Sequence, residues 1–175
     1  MKHNDGPCVV TKIKADDITM EMFKKYNENM IENVAAMDPN IKMTQLKNDG
    51  GCKIMHVDYK IPGMAAWLVS NRTFYIAFYD EDLEDGHLTL DTTQGNDHIA
   101  AANKALTGKN VLGTVTVEYL KTTFLEGGTG VRFIKVNQAH AGGNLPRGKY
   151  LPTKEILRDS RKEIEGMIEF MRKMK

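Results

Sequence analysis

The last stretch of the chain, residues 153–175, constrains the fold most, because it has the pattern of a long amphipathic helix. Pro152 precedes it, Thr153 is a suitable N-cap, and basic side chains near its end match the helix dipole. One face must therefore be buried. The positions predicted to share that face are Leu157, Ser160, Ile164, Met167, Met171 and Met174.

The predicted buried stripe of this helix is unusually soft. Met replaces Leu at three positions, and Gly166 interrupts the middle at a cost of about 1 kcal/mol relative to Ala. Flexible methionine side chains adapt to irregular surroundings. We therefore expect an adaptable contact beneath the helix.

The chain begins with one strand and one helix. Val9, Thr11 and Ile13 alternate, which predicts a strand over residues 8–15. An apolar face with helical spacing follows from Thr19, and we expect Asp16 or Asp17 to cap that helix. The helix is predicted to break near Asn29 and to end at residues 38–39.

From residue 40 onward the period changes to two, which predicts a run of strands. A turn at residues 48–51 joins two strands into a hairpin, and Met55, Val57 and Tyr59 share one side of the second strand. Further strands are predicted at residues 72–80, 88–92, 111–125 and 131–140. Their short connections favour an antiparallel meander, with residues 95–110 as a weakly helical insertion over the sheet edge. The fold class is therefore α+β.

The composition limits the class of protein. Its 175 residues fit one domain, residues 1–175, of which residues 1–7 are expected to be flexible. The formal net charge of +1 favours no nucleic-acid partner. Cys8 and Cys52 form neither a metal-binding nor a redox motif, and no signal peptide or membrane-spanning run is apparent. A reducing, cytoplasmic location is the expectation.

Several local patterns do not carry chemistry. The stretch GNLPRGK at residues 143–149 matches part of a phosphate-binding loop, but Tyr150 replaces the required Ser or Thr and Pro146 removes an amide. The five histidines lack metal-ligand spacing, and the acidic turn at residues 80–85 lacks an EF-hand pattern. We expect no metal, no cofactor and no catalytic residue.

The order of elements and the end of the chain resemble the START (StAR-related lipid transfer) domains of the Bet v 1-like helix-grip superfamily. The residues that carry this resemblance lie mainly in the closing strands and in the opening of the strand at residues 72–80. They are Asn71, Arg72, Thr73, Phe74, Gly113, Val131, Phe133, Gly142 or Gly143, Leu145 and Pro146. The resemblance implies a short-form domain in which a curved antiparallel sheet of about seven strands wraps around the C-terminal helix.

The resemblance further implies a hydrophobic cavity between the sheet and that helix. A lipid or other hydrophobic small molecule would be its ligand, and the predicted ligand-binding residues are Met55, Val57, Tyr59, Arg72, Phe74, Ile76, Phe78, Val115, Val117, Tyr119, Phe133, Met167 and Met171. Without the resemblance the apolar members of this set are simply core residues. Arg72 is the best candidate for an inward charge, because strict alternation places it on the face of Phe74, Ile76 and Phe78.

The function expected from this resemblance is lipid binding, with intracellular transfer, by a monomer without enzymatic activity. Transient contact with an anionic membrane surface is expected through residues 95–110 and the basic side chains Arg172, Lys173 and Lys175. Two alternatives stay open. One is a cyclase-like or hydrolase-like enzyme using Tyr59, Tyr119, His140 or Arg72 in the cavity, and the other is a helix-grip co-chaperone or similar protein-interaction module.

Overall fold

The computed structural model describes residues 8–61, 70–93, 95–127, 129–140 and 153–174. The predicted flexible segment at residues 1–7 and the rejected loop motif at residues 143–149 lie outside them. In chain order the elements are β1 (Val9–Thr19), α1 (Met20–Glu28), α2 (Met30–Met37), β2 (Ile41–Asp49), β3 (Cys52–Tyr59), β4 (Arg72–Leu83), β5 (Gly86–Thr92), α3 (Asp97–Ala102), α4 (Lys104–Thr107), β6 (Val111–Leu112), β7 (Thr114–Phe124), β8 (Thr129–His140) and α5 (Thr153–Lys173).

The first helical stretch divides at Asn29, as its sequence predicts. The expected N-cap is wrong, because Asp16 and Asp17 belong to β1, which extends further than predicted. Thr19 caps α1 instead, and its Oγ1 accepts a hydrogen bond from the Met22 amide at 3.2 Å. The side chain of Asn33 donates to the Tyr26 carbonyl oxygen at 2.7 Å, which holds α2 against the end of α1.

The strands form one curved sheet, as expected. Its hydrogen-bonded path is β1-β8-β7-β5-β4-β3-β2, so seven strands follow the predicted antiparallel pattern among the residues that the structure describes. In this sheet β1 lies at one edge and pairs with β8, and the β2–β3 hairpin lies at the opposite edge. This order places β1 beside β8, and α5 packs along β1.

The predicted strand at residues 111–125 is two strands. Gly113 separates β6, which pairs in parallel with Arg72 and Thr73 of β4, from β7. A Cβ at Gly113 would lie 2.1 Å from the Phe74 ring, so only glycine fits this crossing. The predicted insertion contains α3 and α4, and the Tyr75 hydroxyl donates to the Asn103 carbonyl oxygen at 3.0 Å. The insertion thus returns to the sheet through β6.

Helix α5 packs mainly along β1, where it closes the hydrophobic core. Its predicted stripe is buried from Ser160 to Met171 and partly buried at Met174, but Leu157 is 43% exposed, so the buried face begins one turn later than expected. The core cluster comprises Ala15, Ile18, Phe23, Tyr26, Val131, Phe133, Ile164, Met167, Ile168 and Met171. Arg172 fixes the end of the helix by donating two hydrogen bonds to Asp17, at 2.7 and 2.8 Å.

Candidate functional site

The inner face of the sheet is defined by the register of β3 and β4. Tyr59 pairs with Arg72, Val57 with Phe74 and Met55 with Ile76, and Phe78 follows on the same face of β4. Since side chains alternate along a strand, these positions share one side. The sequence therefore grouped the β3 and β4 members of the predicted site correctly.

A cavity of about 290 Å³ lies between this inner face and helices α1 and α2. Its floor is formed by the buried side chains of Met55, Phe78 and His87, and exposed polar side chains surround its mouth. The volume is close to the lower end of the range typical for small-molecule pockets. The lining residues are Asn27, Glu28, Met30, Ile31, Glu32, Gln45, Lys53, Met55, Phe78, Asp80, His87 and Thr89.

The final helix does not line this cavity with its methionines, and the predicted placement of Met167, Met171 and Phe133 is corrected. All three belong to the packed core between α5, β1 and α1, where Met171 and Phe133 have no exposed surface and Met167 has 6%. A Cβ added at Gly166 would meet no atom within 4 Å. The Met-rich face of α5 therefore packs in the core, and the cavity lies beside that core, under α1 and α2.

The structure also corrects the grouping of three predicted site residues on β7. Val115 pairs with Ala139 and Val117 pairs with Gln138, so one extra residue bulges between them. Because a bulge shifts the alternation by one residue, Val115 stays on the inner face while Val117 and Tyr119 lie on the outer face. Tyr119 accordingly pairs with Leu90, whose side chain is 36% exposed.

Arg72 is an inward, buried charge, as the alternation predicts. Its side chain is 4% exposed, and its guanidinium donates to the Ser70 carbonyl oxygen. Burial lowers the pKa of the guanidinium below its usual value. Burial also raises the pKa of its neighbour Tyr59, with a smaller contribution from Asp38. This end of the inner face is therefore poorly hydrated.

A row of polar side chains crosses the inner face and was not predicted. Asn137 pairs with Glu118, Glu118 pairs with Asp91, and Asp91 pairs with Phe78, so the row runs across β8, β7, β5 and β4. The Asn137 amide donates to Glu118 Oε2 at 2.6 Å. The row therefore connects the region beneath α5 with the floor of the cavity.

Lys135 links this polar row to the final helix. Its side chain is 1% exposed, and Nζ lies 2.8 Å from Glu118 Oε1 and 2.5 Å from Glu163 Oε2 on α5. The sequence carried a signal for it, because Lys135 shares its parity on β8 with Phe133, a predicted cavity residue. A lysine at such a position needs buried anionic partners.

The electrostatics of the row follow from burial and from these pairs. Burial alone lowers the pKa of Lys135, but the attraction of Glu118 and Glu163 outweighs it, so the pKa is raised. Burial and the neighbouring Glu118 raise the pKa of Asp91 well above its ordinary value. Burial likewise raises the pKa of Glu118, although Lys135 opposes the shift. Lys135 is therefore charged, and burial makes both Asp91 and Glu118 hold a proton more readily than an exposed carboxyl group does.

An ion pair and a histidine–carboxylate contact lie beside the cavity. Lys53 Nζ lies 3.0 Å from Asp80 Oδ1 and 5.5 Å from the centroid of the Phe78 ring. His87 Nδ1 lies 2.9 Å from Asp82 Oδ1, while the His87 ring packs edge-on against Phe23. These contacts orient polar groups around an apolar floor, which suits a ligand with both polar and apolar parts.

Metal binding and membrane insertion have no structural support in the described part of the chain. No group of three or more His, Cys, Asp or Glu side chains there could hold a metal ion. No helix in the described ranges is long and apolar enough to cross a membrane.

No protein-family model matches the sequence, and no curated protein matches it in sequence. Solved structures match its fold. Human STARD10 is 13% identical with a TM-score of 0.77 over 98% of this chain, which spans 66% of the length of STARD10. The human StarD13 (DLC2) lipid transfer and protein localization domain is 10% identical with a TM-score of 0.70, and 94% of this chain matches 76% of that one.

A third similar structure is an enzyme. The Zhui aromatase/cyclase from Streptomyces sp. R1128 is 10% identical with a TM-score of 0.57, and 97% of this chain matches 96% of it. At these identities the likenesses establish the fold, and they confirm the predicted START and Bet v 1-like helix-grip architecture.

Proposed function

From the START-type helix-grip fold of this chain, we propose that it binds a lipid or other hydrophobic small molecule on the inner face of its sheet, without catalytic turnover. The observation that carries this proposal is the cavity of about 290 Å³ with Met55 and Phe78 in its floor. Both side chains are buried in the sheet, at 1% and 7% exposure, and they border open space. Binding there would remove apolar surface of a ligand from water, which is favourable.

The arrangement of the predicted site supports binding over catalysis. Tyr59 and Arg72 are cross-strand neighbours on the inner face, but Tyr119 lies on the outer face, so the three do not share one cavity. His140, the fourth candidate, is the last described residue of β8. A bound ligand is therefore expected to be released chemically unchanged, and mass spectrometry before and after incubation measures this.

The test of binding is direct. Protein purified from cells without detergent is expected to carry a small molecule by native mass spectrometry, or to bind the neutral dye Nile red after delipidation. Met55→Trp fills the cavity floor and should reduce Nile red binding at least threefold. Ile54→Trp is the matched control, because Ile54 is the adjacent residue on the other face of β3.

Two results would count against the proposal. Absence of both a copurified molecule and dye binding would remove the binding function itself. Unchanged dye affinity in a folded Met55→Trp variant would instead move the binding site away from this cavity.

We also propose that ligand transfer involves transient contact with an anionic membrane surface and occurs in the cytoplasm, where the protein is monomeric. Leu106 is 49% exposed between the exposed lysines Lys104 and Lys109, which gives the insertion an apolar tip with basic flanks. Arg172 is already paired with Asp17, so of the predicted basic end Lys173 is the better candidate.

Vesicle binding tests this second step. The protein should cosediment with phosphatidylserine-containing vesicles more than with phosphatidylcholine vesicles, and Lys104→Glu with Lys109→Glu should remove the difference. Lys12→Glu, an exposed lysine on β1, is the control. Equal sedimentation with both lipids would exclude electrostatic docking.

A further inference from the structure

Several buried side-chain oxygens on the inner face lack a hydrogen-bond partner within the described structure. They are Thr11 Oγ1, Asp91 Oδ1 and Asn137 Oδ1. Asn137 and Asp91 belong to the polar row, with Glu118 between them. Thr11 lies on β1 and is the cross-strand partner of Lys135 on β8. Thr11 is only 6% exposed. Buried polar groups in native proteins are nearly always paired, so unsatisfied oxygens in this area call for a partner beyond the described residues of the chain.

The row ends at the cavity. Asp91 pairs directly with Phe78, and Thr89 is the next inner-face residue along β5. Both Phe78 and Thr89 line the cavity. Asp91 and Asn137 do not line the cavity themselves, but the Glu118 side chain between them is 25% exposed, so the inner face is open beside the row. A molecule whose apolar part rests on Met55 and Phe78 can reach the row by extending over Asp91 toward Asn137.

The charges along the row decide which head group can lie there. Lys135 is the cation of this cluster, and it is already engaged by Glu118 and Glu163 at 2.8 and 2.5 Å. An anionic head group would find no unpaired cation in the row, and it would lie beside the Glu118 carboxylate and the Asp91 carboxyl group. A carboxylate or phosphate is therefore disfavoured at this end of the cavity.

Hydroxyl groups fit the unsatisfied atoms. The Asn137 carbonyl oxygen can only accept a hydrogen bond, and burial raises the pKa of Asp91, so its carboxyl group can donate as well as accept. Asn137 and Asp91 are two strand spacings apart, about 10 Å along the sheet, which one hydroxyl cannot bridge. Two hydroxyls on neighbouring carbons, each making a hydrogen bond of about 2.8 Å, can approach both side chains.

We propose that Asp91 and Asn137, with Thr11 beyond them, form a subsite for the neutral, multi-hydroxyl end of an amphipathic ligand whose apolar chain occupies the cavity over Met55 and Phe78. The subsite selects polyol head groups against carboxylates and phosphates. It rests on the binding function proposed above and specifies the ligand class.

Two probes with the same ten-carbon acyl chain test the selectivity. 1-Monodecanoylglycerol carries two hydroxyls, and decanoate carries a carboxylate. Both are titrated at pH 7.5, below micelle formation, against the wild-type protein loaded with Nile red. Monodecanoylglycerol should displace the dye with at least tenfold higher affinity than decanoate. Equal affinities, or tighter decanoate binding, would overturn the subsite.

Variants then locate the selectivity. Asp91→Leu replaces the carboxyl oxygens by methyl groups in the same branched shape and should weaken monodecanoylglycerol binding at least fivefold, with little change for decanoate. Asp91→Asn keeps a neutral donor and acceptor and should retain most of the preference. Glu81→Leu, an exposed carboxylate on β4, is the matched control and should change neither affinity.

The outcomes separate the two proposals. If Nile red itself does not bind, the binding function fails. If the dye binds but neither probe displaces it, or if a folded Asp91→Leu variant keeps the full preference, the polyol subsite fails while binding stands. The comparison on wild-type protein decides the selectivity even where a variant does not fold.

Discussion

Replacing Lys135 by Met tests whether the buried ion pairs hold α5 to the sheet. The Lys135 side chain is 1% exposed, and its Nζ is the cation that neutralises both Glu118 and Glu163. Met has a similar length but no charge, so the substitution leaves two carboxylates without their counterion.

The size of the stability loss depends on how readily each unpaired carboxylate can reach solvent. Removing one partner of a buried pair costs about 3–5 kcal/mol. The Glu163 side chain is 58% exposed and can turn into solvent, whereas Glu118 is 25% exposed and stays bonded to Asn137. We therefore expect a loss near the lower limit, about 3 kcal/mol of unfolding free energy at pH 7. Urea unfolding followed by far-UV circular dichroism measures it.

The pH dependence gives a second measure of the same reasoning. The pKa of Glu118 is already raised by burial, and loss of Lys135 removes the group that opposes this shift. A carboxyl group with a raised folded-state pKa contributes stability at low pH and loses it as the pH rises through that pKa. The cost of Lys135→Met should therefore be smaller at pH 5 than at pH 8.

The control is Lys12→Met on β1, because Lys12 is exposed and should change the unfolding free energy by under about 0.5 kcal/mol. Adding Glu118→Met to Lys135→Met should recover part of the loss, since an apolar pair replaces an unpaired charge. A loss below about 1 kcal/mol for Lys135→Met, or equal losses at pH 5 and pH 8, would refute the buried-pair reasoning.

Two further predictions concern stability. The pKa of Asp91 is raised in the folded state, so the wild-type protein loses unfolding free energy relative to Asp91→Asn as the pH rises above about 4. The relative loss is up to about 1.4 kcal/mol per pH unit until the folded-state pKa is reached. Urea unfolding measures this difference, and a difference independent of pH would contradict the prediction. A Cβ at Gly86 would lie 1.9 Å from the Thr122 carbonyl oxygen, so Gly86→Ala should cost about 1–3 kcal/mol, whereas Gly166→Ala meets nothing and should gain about 0.5–1 kcal/mol in thermal unfolding. Equal effects at the two glycines would show that local space does not control them.

The periodicity of the sequence was sufficient for the elements of the fold. Alternation located the hairpin of β2 and β3, and it placed Met55, Val57 and Tyr59 on one face. The break at Asn29 and the length of α5 also followed from local pattern. These features depend on residues close in the chain, so a local signal specifies them.

The sequence alone misplaced features that depend on pairing between distant residues. The bulge in β7 places Val117 and Tyr119 on the opposite side of the sheet from the one predicted, and the alternation of the sequence does not reveal the bulge. Met167 and Met171 have the same helical spacing whether they border a cavity or fill a core. Which of these occurs depends on how α1 and β1 close against the helix.

The sequence by itself determined the order of elements, the amphipathic final helix and the grouping of Arg72 with Phe74, Ile76 and Phe78, because each follows from a period of two or 3.6 residues. Tertiary structure decided where the empty space lies and which polar groups meet. Asp91, Glu118, Lys135 and Glu163 come from three strands and a helix, and only the strand order β8-β7-β5 beside α5 assembles them. Long-range pairing sets that order, and no local pattern encodes it.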